Sequence, residues 1–271
     1  MKEWTIALLH DAYRNGTTDP VTVCRAYLDR IGEIDSAGPA INSIIEVNPD
    51  ALAVAEERAK EMEGGAFRGK DDPARRPGLL HGIPVLIKDN IDTHDGMKTT
   101  AGSLALLDAP LPSDAFIVRR LREQGAIILG KTNLSEWANL RSSHSNSGWS
   151  SRGGQTRNPY VLDRSPCGSS SGSGAAIAAN LAVVAIGTET DGSITCPAAH
   201  NSLVGLKPTV GTASRTGIIP VAASQDTPGP MARTVTDAAI CLQAVAGRDP
   251  EDSATFEAGN YLEHPDADFL R

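Results

Sequence analysis

The stretch that decides the fold is Val184-Ala-Ile-Gly-Thr-Glu-Thr-Asp-Gly-Ser-Ile194. With Val183 it opens on a short apolar run that is long enough for a buried strand, and Gly187 ends that run. The polar turn that follows leads to Ser193 and leaves successive backbone N–H groups without a strand partner. Such groups can surround a developing oxyanion, and a serine at the end of the turn can attack a carbonyl. An ordinary strand-to-loop turn has a similar composition, so the surrounding sequence has to decide between the two interpretations.

Predicted helices and strands alternate around this stretch, which indicates an α/β architecture. Apolar periodicity and capping residues predict helices over 4–15, 21–31, 51–64, 115–124, 133–140, 173–180 and 235–246. Apolar runs predict strands that end at Lys88 and that cover 126–130, 182–187 and 203–206. Residues 64–78, 141–172 and most of 207–234 are predicted to be loops, and 141–172 is too long to be a simple connection.

Composition excludes several classes of protein. The chain has 271 residues, of which 40% are hydrophobic and 21% are charged, as in soluble globular proteins. No apolar run is long enough to span a membrane and no signal peptide is visible, so we expect a cytoplasmic protein. The net charge of −8 argues against a nucleic-acid partner. Seven acids and one base fall in 249–271, so the acidity is concentrated there.

The cysteines and histidines indicate neither a metal site nor a disulfide framework. Cys24, Cys167, Cys196 and Cys241 are scattered without the spacing of metal ligands, and a chain of this size needs no disulfide to fold. None of the six histidines lies in an H-E-x-x-H pattern. We therefore expect no metal and no cofactor.

Three features could act together: Lys88 at the end of a strand, the serine-rich loop Cys167–Gly174, and Ser193. A lysine acts as a base only when it is neutral. Burial lowers the pKa of a lysine by roughly 3–5 units, which is enough for this in a water-poor site. A serine between 169 and 173 could relay the proton from Ser193 to Lys88.

Two other interpretations of the serine-rich loop are weaker but remain open. Gly168–Gly172 matches G-x-S-x-G with Ser170 as the nucleophile, but that motif follows a hydrophobic strand and Asp163-Arg-Ser-Pro-Cys167 is not one. A phosphate-binding loop would continue with G-K-[ST], whereas Gly174 is followed by two alanines.

Several blocks of the sequence, in this order, resemble the amidase signature family over roughly residues 20 to 250. They are Gly82-Ile-Pro-Val-Leu-Ile-Lys-Asp-Asn90, Gly130-Lys-Thr-Asn133, Pro166-Cys-Gly-Ser-Ser-Ser-Gly-Ser173, Gly187-Thr-Glu-Thr-Asp-Gly-Ser-Ile194 and Val204-Gly-Leu-Lys-Pro-Thr209. The resemblance implies a mixed β-sheet flanked by helices. It also implies an amide hydrolase with a Ser–cisSer–Lys triad that acts through an acyl-enzyme.

The resemblance assigns the site residues by position. Ser193 matches the acylated nucleophile, Ser169 the serine after a cis peptide bond, and Lys88 the base. Thr190, Asp191, Gly192 and Ser193 match the backbone oxyanion hole of the family.

The flanking residues, among them Asn133-Leu-Ser-Glu-Trp-Ala-Asn139 and Ser224-Gln-Asp-Thr-Pro-Gly-Pro230, resemble bacterial peptide amidases. That branch removes the C-terminal amide of peptides, which implies a peptide or small-molecule amide as substrate and no membrane partner; the oligomeric state stays open.

The alternatives are an inactive, truncated remnant and an amidotransferase A-type subunit. Members of the family usually extend beyond this length, so we expect a sheet that is incomplete at the C-terminus. We divide the chain into an N-terminal helical segment (1–65), a core (66–248) and an acidic segment (249–271).

Overall fold

A computed structural model describes residues 1–66 and 78–257 of the chain. Its centre is a six-stranded mixed sheet with the order β1-β3-β2-β6-β8-β7, and β4 and β5 form a separate two-stranded sheet. The strands are β1 (Ile44–Val47), β2 (Pro84–Lys88), β3 (Ile127–Thr132), β4 (Trp149–Ser150), β5 (Gly154–Gln155), β6 (Val184–Glu189), β7 (Val204–Gly205) and β8 (Thr227–Ala232). The mixed sheet and its flanking helices confirm the predicted fold class.

Helices flank this sheet in the described part of the chain. They are α1 (Ile6–Arg14), α2 (Pro20–Arg30), α3 (Ala51–Glu61), α4 (Phe116–Glu123), α5 (Ser171–Ala178), α6 (Thr195–His200), α7 (Val235–Val245) and α8 (Ala254–Glu257). Thr5, Asp19 and Thr234 each accept a hydrogen bond from a backbone N–H in the first turn of the helix that follows. None of the helices described is long and apolar enough to cross a bilayer.

The three central strands place the site. Strand β2 is parallel to both β3 and β6, and all five of its residues are buried. A strand buried on both faces has a continuous apolar run, which explains Pro84-Val-Leu-Ile before Lys88. Because the carboxyl ends of parallel strands meet at one edge of the sheet, Lys88 and the turn after β6 lie side by side.

Strand β8 lies in a region that we expected to be a loop, and it pairs with both β6 and β7. Its sequence, Thr227-Pro-Gly-Pro-Met-Ala232, carries two prolines, which ordinarily argue against a strand. The N–H of Leu206 donates to the carbonyl of Pro230, so Pro230 directs its backbone polar groups toward β7. Strand β7 is only two residues long. The backbone N–H groups that the two prolines lack therefore cost few hydrogen bonds between β8 and β7.

Other elements also differ from the predictions. The helix expected over 133–140 is wrong: this region holds only a 3-10 turn at Glu136–Asn139, where Trp137 and Ala138 have φ of 49° and 55°. The segment 1–65 is not purely helical, because β1 joins the main sheet antiparallel to β3. Most of the loop predicted at 64–78 and of the acidic segment 249–271 lies outside the described residues, and the division into three segments stays a prediction.

Helix α5 packs tightly behind the site because its residues are small. Ser171 to Ile177 are all buried. A Cβ on Gly172 would overlap the carbonyl oxygens of Ser43 and Asn133. Only glycine fits this close approach of two backbones, and the packing fixes the position of the serine-rich loop that precedes the helix.

Candidate active site

Lys88 ends strand β2 with a side chain that is 0% exposed. Its Nζ lies within hydrogen-bond distance of Ser169 Oγ at 2.7 Å, and it donates to Thr188 Oγ1 at 3.0 Å and to the carbonyl oxygen of Thr188 at 3.2 Å. Among the described residues, the hydrogen-bond partners of the amine are thus two hydroxyls and a carbonyl, with no carboxylate. Such surroundings favour an uncharged amine.

Burial lowers the pKa of Lys88 to about 7, because the ammonium form loses its hydration inside the protein. The carboxylates of Glu189 and Asp226 act in the opposite direction and keep the pKa from falling further. A substantial fraction of the amine is therefore neutral near neutral pH, as a general base requires.

Ser169 follows a cis peptide bond between Gly168 and Ser169 and is 1% exposed. Its carbonyl oxygen accepts a hydrogen bond from the N–H of Ser135 at 3.0 Å. A Cβ on Gly168 would overlap the hydroxyl of Ser135, so this loop is packed closely against the chain that follows β3. The packing leaves the hydroxyl of Ser169 directed at Lys88.

Ser170 has a different environment, which bears on the G-x-S-x-G interpretation. It is fully buried, its Oγ donates to the carbonyl oxygen of Thr188 at 3.0 Å, and the same Oγ accepts from the N–H of Thr188 at 3.2 Å. No strand immediately precedes it. Ser170 therefore holds the serine-rich loop against β6, and its hydroxyl is already used both as a donor and as an acceptor.

Ser193 lies in the turn between β6 and α6 and is 8% exposed. Its carbonyl oxygen accepts a hydrogen bond from the N–H of Ser170 at 3.0 Å, which joins this turn to the residue after Ser169. Lys88, Ser169 and the Ser193 turn, which are far apart in the sequence, thus meet at one edge of the sheet.

Glu189 organises this turn, although no motif in the sequence had indicated a role for it. Its carboxylate accepts from the N–H of Gly192 at 2.9 Å, of Ile194 at 2.7 Å and of Thr195 at 2.8 Å. One pattern in the sequence could have indicated this: an acidic residue ends a buried strand and a Gly-Ser turn follows it. The carboxylate of such a residue can accept hydrogen bonds from the backbone N–H groups of the turn.

The four amides matched to an oxyanion hole are not equivalent. The N–H of Gly192 is engaged by Glu189. Within the described residues, the N–H groups of Thr190, Asp191 and Ser193 have no hydrogen-bond partner. The hydroxyl of Thr190 donates to Asp226 at 2.5 Å, which holds the turn in place. Of these four N–H groups, only that of Gly192 is therefore engaged within the described part of the chain.

A disulfide joins Cys167 to Cys196, with 5.9 Å between their Cα atoms. The sequence indicated no disulfide framework, but residues 29 apart become neighbours once the serine-rich loop lies against α6. Cys24 and Cys241 are free and buried. Within the described residues, the one group of side chains with metal-ligand geometry is Cys167, Cys196 and His200.

A small cavity of about 20 Å³ adjoins Ser169. Ser169, Thr188 and Thr190 line it on one side, and Ile218 and Pro228 line the other. A space of this size holds about one water-sized molecule.

Comparison with known proteins places this arrangement in a family. The model of the Amidase family matches residues 22–266. The structure of a peptide amidase from Stenotrophomonas maltophilia is 59% identical with a TM-score of 0.88, over 94% of this chain and 50% of that one. An amidase family protein from Bacillus anthracis is 42% identical with a TM-score of 0.90, over 99% of this chain and 51% of that one.

Curated relatives agree with these structures. A probable amidase from Arabidopsis thaliana is 46% identical over 97% of this chain and 49% of its own length. The A-type subunit of the glutamyl-tRNA(Gln) amidotransferase from Thermobifida fusca is 46% identical over 92% of this chain and 47% of its own length. The chain spans about half the length of these relatives. The family match over most of its residues confirms the resemblance seen in the sequence: the chain belongs to the amidase family.

Proposed function

We propose that this chain carries the catalytic centre of an amide hydrolase, with Lys88 as base, Ser169 as relay and Ser193 as nucleophile. The observation that supports this best is the 2.7 Å contact between Lys88 Nζ and Ser169 Oγ, in an environment that lowers the pKa of Lys88 to about 7. A buried lysine bonded to a serine hydroxyl is an arrangement suited to proton transfer.

The hydrogen bonds of Lys88 match those of a neutral amine. A neutral amine has two N–H donors and one lone pair, and Thr188 offers two acceptors, its carbonyl oxygen and its hydroxyl. The lone pair is then directed at the hydroxyl of Ser169, whose proton it accepts. An ammonium group would instead donate to Ser169 and could not take its proton, so only the neutral form acts as a base.

The reaction then proceeds in two halves. Ser193 attacks the amide carbonyl while its proton passes to Ser169 and the proton of Ser169 passes to Lys88. The oxyanion is held by the N–H groups of Thr190, Asp191 and Ser193, and Gly192 contributes only if its bond to Glu189 opens. The relay runs in reverse to protonate the leaving amine, and water hydrolyses the acyl-enzyme by the same route.

We infer primary carboxamides, such as the C-terminal amides of peptides, as the substrate class. The peptide amidase from Stenotrophomonas maltophilia supports this with its 59% identity. The cavity of about 20 Å³ beside Ser169 also suits a small leaving group such as ammonia. We retain the cytoplasmic location and the absence of a nucleic-acid partner as predictions.

Two alternatives remain distinguishable. An amidotransferase A-type subunit is favoured by the relative from Thermobifida fusca, although its 46% identity is below the 59% of the peptide amidase. A protein of that kind would transfer ammonia from glutamine only with a partner chain. An inactive remnant, suggested by the half-length coverage, would release no ammonia and react with no serine-directed reagent.

The test is ammonia release from a peptide amide by the purified chain, together with labelling by a fluorophosphonate and location of the modified residue by mass spectrometry. We expect label on Ser193, and loss of both label and ammonia release in Ser193→Ala. Ser36→Ala, at an exposed serine of the N-terminal segment, is the matched control and should keep both. Label on Ser170, or unchanged ammonia release in Ser193→Ala, would refute the assignment.

A further inference from the structure

Three side chains beside the proposed triad have no role in it: Cys167, Cys196 and His200. Cys167 lies two residues before Ser169, and Cys196 lies three residues after Ser193. The disulfide therefore connects the loop of the proposed relay to the helix that follows the proposed nucleophile. His200 lies one helical turn beyond Cys196, at the end of α6.

The positions of these side chains follow from the fold. Cys196 and His200 are four residues apart on α6, so their side chains share one face of the helix. Cys167 approaches that face from the serine-rich loop, which is held there by Asn201: its Nδ2 donates to the carbonyl oxygens of Pro166 and Pro197 at 3.0 and 2.7 Å. The two sulfur atoms and an imidazole nitrogen all lie within 4.8 Å of one another.

The cluster is open to solvent and to reagents. Both cysteines are half-buried and His200 is exposed. The remaining cysteines, Cys24 and Cys241, are fully buried elsewhere in the core. A reductant or an ion that arrives from solution therefore meets Cys167 and Cys196 first.

Two thiolates and an imidazole form a donor set that suits Zn²⁺ and other soft divalent ions. With Zn–S bonds of about 2.3 Å and a Zn–N bond of about 2.0 Å, tetrahedral ligand atoms lie roughly 3.3–3.8 Å apart. Once the S–S bond is broken, the sulfur atoms can separate to this spacing, and the imidazole, which lies within 4.8 Å of them, needs to approach by roughly 1 Å. A half-exposed loop and an exposed side chain can make that adjustment.

We propose that the reduced chain binds one Zn²⁺ ion through the sulfur atoms of Cys167 and Cys196 and the imidazole of His200, with water in the fourth position. A phosphine reductant breaks the S–S bond, becomes a phosphine oxide with the oxygen of one water, and leaves the two protons of that water on the two thiols. Metal binding then releases both protons, because the ligands are thiolates. The disulfide and the metal are mutually exclusive states of the same two sulfur atoms.

Either state holds the serine-rich loop against α6. The disulfide does so covalently, and the metal does so through bonds from Cys167 on one side and from Cys196 and His200 on the other. Disulfides are rare in reducing compartments, where the metal state would take over this connection. The metal site stands on the geometry of the three ligands and does not depend on the proposed hydrolase activity.

The experiment compares the oxidised chain with the chain reduced by a phosphine and desalted without oxygen. Each is titrated with Cd²⁺, and the thiolate-to-metal charge-transfer absorption is recorded; Zn²⁺ is then added as a competitor. We expect one Cd²⁺ per reduced chain, displacement by Zn²⁺, and no charge-transfer band in the oxidised chain. A reduced chain that binds no more Cd²⁺ than the oxidised one would overturn the proposal.

Variants identify the ligands. His200→Ala keeps both cysteines, so its oxidised form still has the disulfide and reports folding, and we expect its reduced form to bind Cd²⁺ at least about tenfold more weakly. His144→Ala, at another exposed histidine, is the matched control and should bind as the parent does. Cys196→Ser should remove the absorption band. Equal affinity in His200→Ala and His144→Ala would exclude the imidazole as a ligand, and a band that survives in Cys196→Ser would exclude this site.

Discussion

Replacing Lys88 by methionine tests the neutral amine through the pH dependence of stability. The folded protein lowers the pKa of Lys88 from 10.5 to about 7. Between these values the unfolded chain binds more protons than the folded chain, so the free energy of unfolding of the parent rises with pH. Lys88→Met lacks this contribution. From about pH 7.5 to about pH 9.5 the parent should therefore gain roughly 2–3 kcal/mol relative to Lys88→Met, because each pKa unit corresponds to about 1.4 kcal/mol.

The measurement is equilibrium urea unfolding of both proteins at the two pH values, followed by tryptophan fluorescence. The quantity compared is the difference between parent and variant, so other groups that titrate in this range, such as Lys131 with its pKa lowered to about 8 by burial, contribute equally and cancel. Lys207→Met, at an exposed lysine, is the control and should show the same pH dependence as the parent. A difference between parent and Lys88→Met that stays constant from low to high pH would show that Lys88 titrates as an ordinary lysine, and the proposed base would be lost.

Two further predictions concern the turn and the packing behind it. The activity of the parent, measured as kcat/KM for a peptide amide, should fall below about pH 7 as Lys88 gains a proton. In Glu189→Gln this acid limb should move to lower pH, because the Glu189 carboxylate raises the pKa of Lys88, and a shift to higher pH would contradict the electrostatic argument. Gly172→Ala should lower the free energy of unfolding by about 3 kcal/mol or more, since the added methyl overlaps two backbone carbonyls. Gly32→Ala, where no atom lies within 4 Å of the added carbon, should change it by less than about 1 kcal/mol, and similar values for the two variants in urea unfolding would refute the packing argument.

The central strands were predictable because burial on both faces leaves a continuous apolar run. The strand that ends at Lys88 and the helix beginning at Val235 agree with the structure almost residue for residue. The residues alone suggested that Lys88 acts with a serine between 169 and 173. The choice of Ser169 came from the family resemblance, because residues 81 apart in sequence leave no local signal of their contact.

Features that depend on a distant neighbour were missed. Strand β8 carries two prolines. It forms a strand because few of its backbone N–H groups are needed for hydrogen bonds to the two-residue strand β7. The turn at Glu136–Asn139 has helical residue types but packs in a left-handed conformation. The pairing of Cys167 with Cys196 requires the loop and α6 to be brought together first, and spacing along the chain does not reveal that.

Lys88 lies in a strand that has a parallel strand on each side. Substitutions in this strand and substitutions in the turns at the edge of the sheet should therefore have different effects. The proposed base belongs to this central, fully buried strand, while Thr190, which lines the cavity beside Ser169, lies in the turn after β6. Changes to those turns can therefore alter which amide is accepted and leave the basicity of the amine as it is.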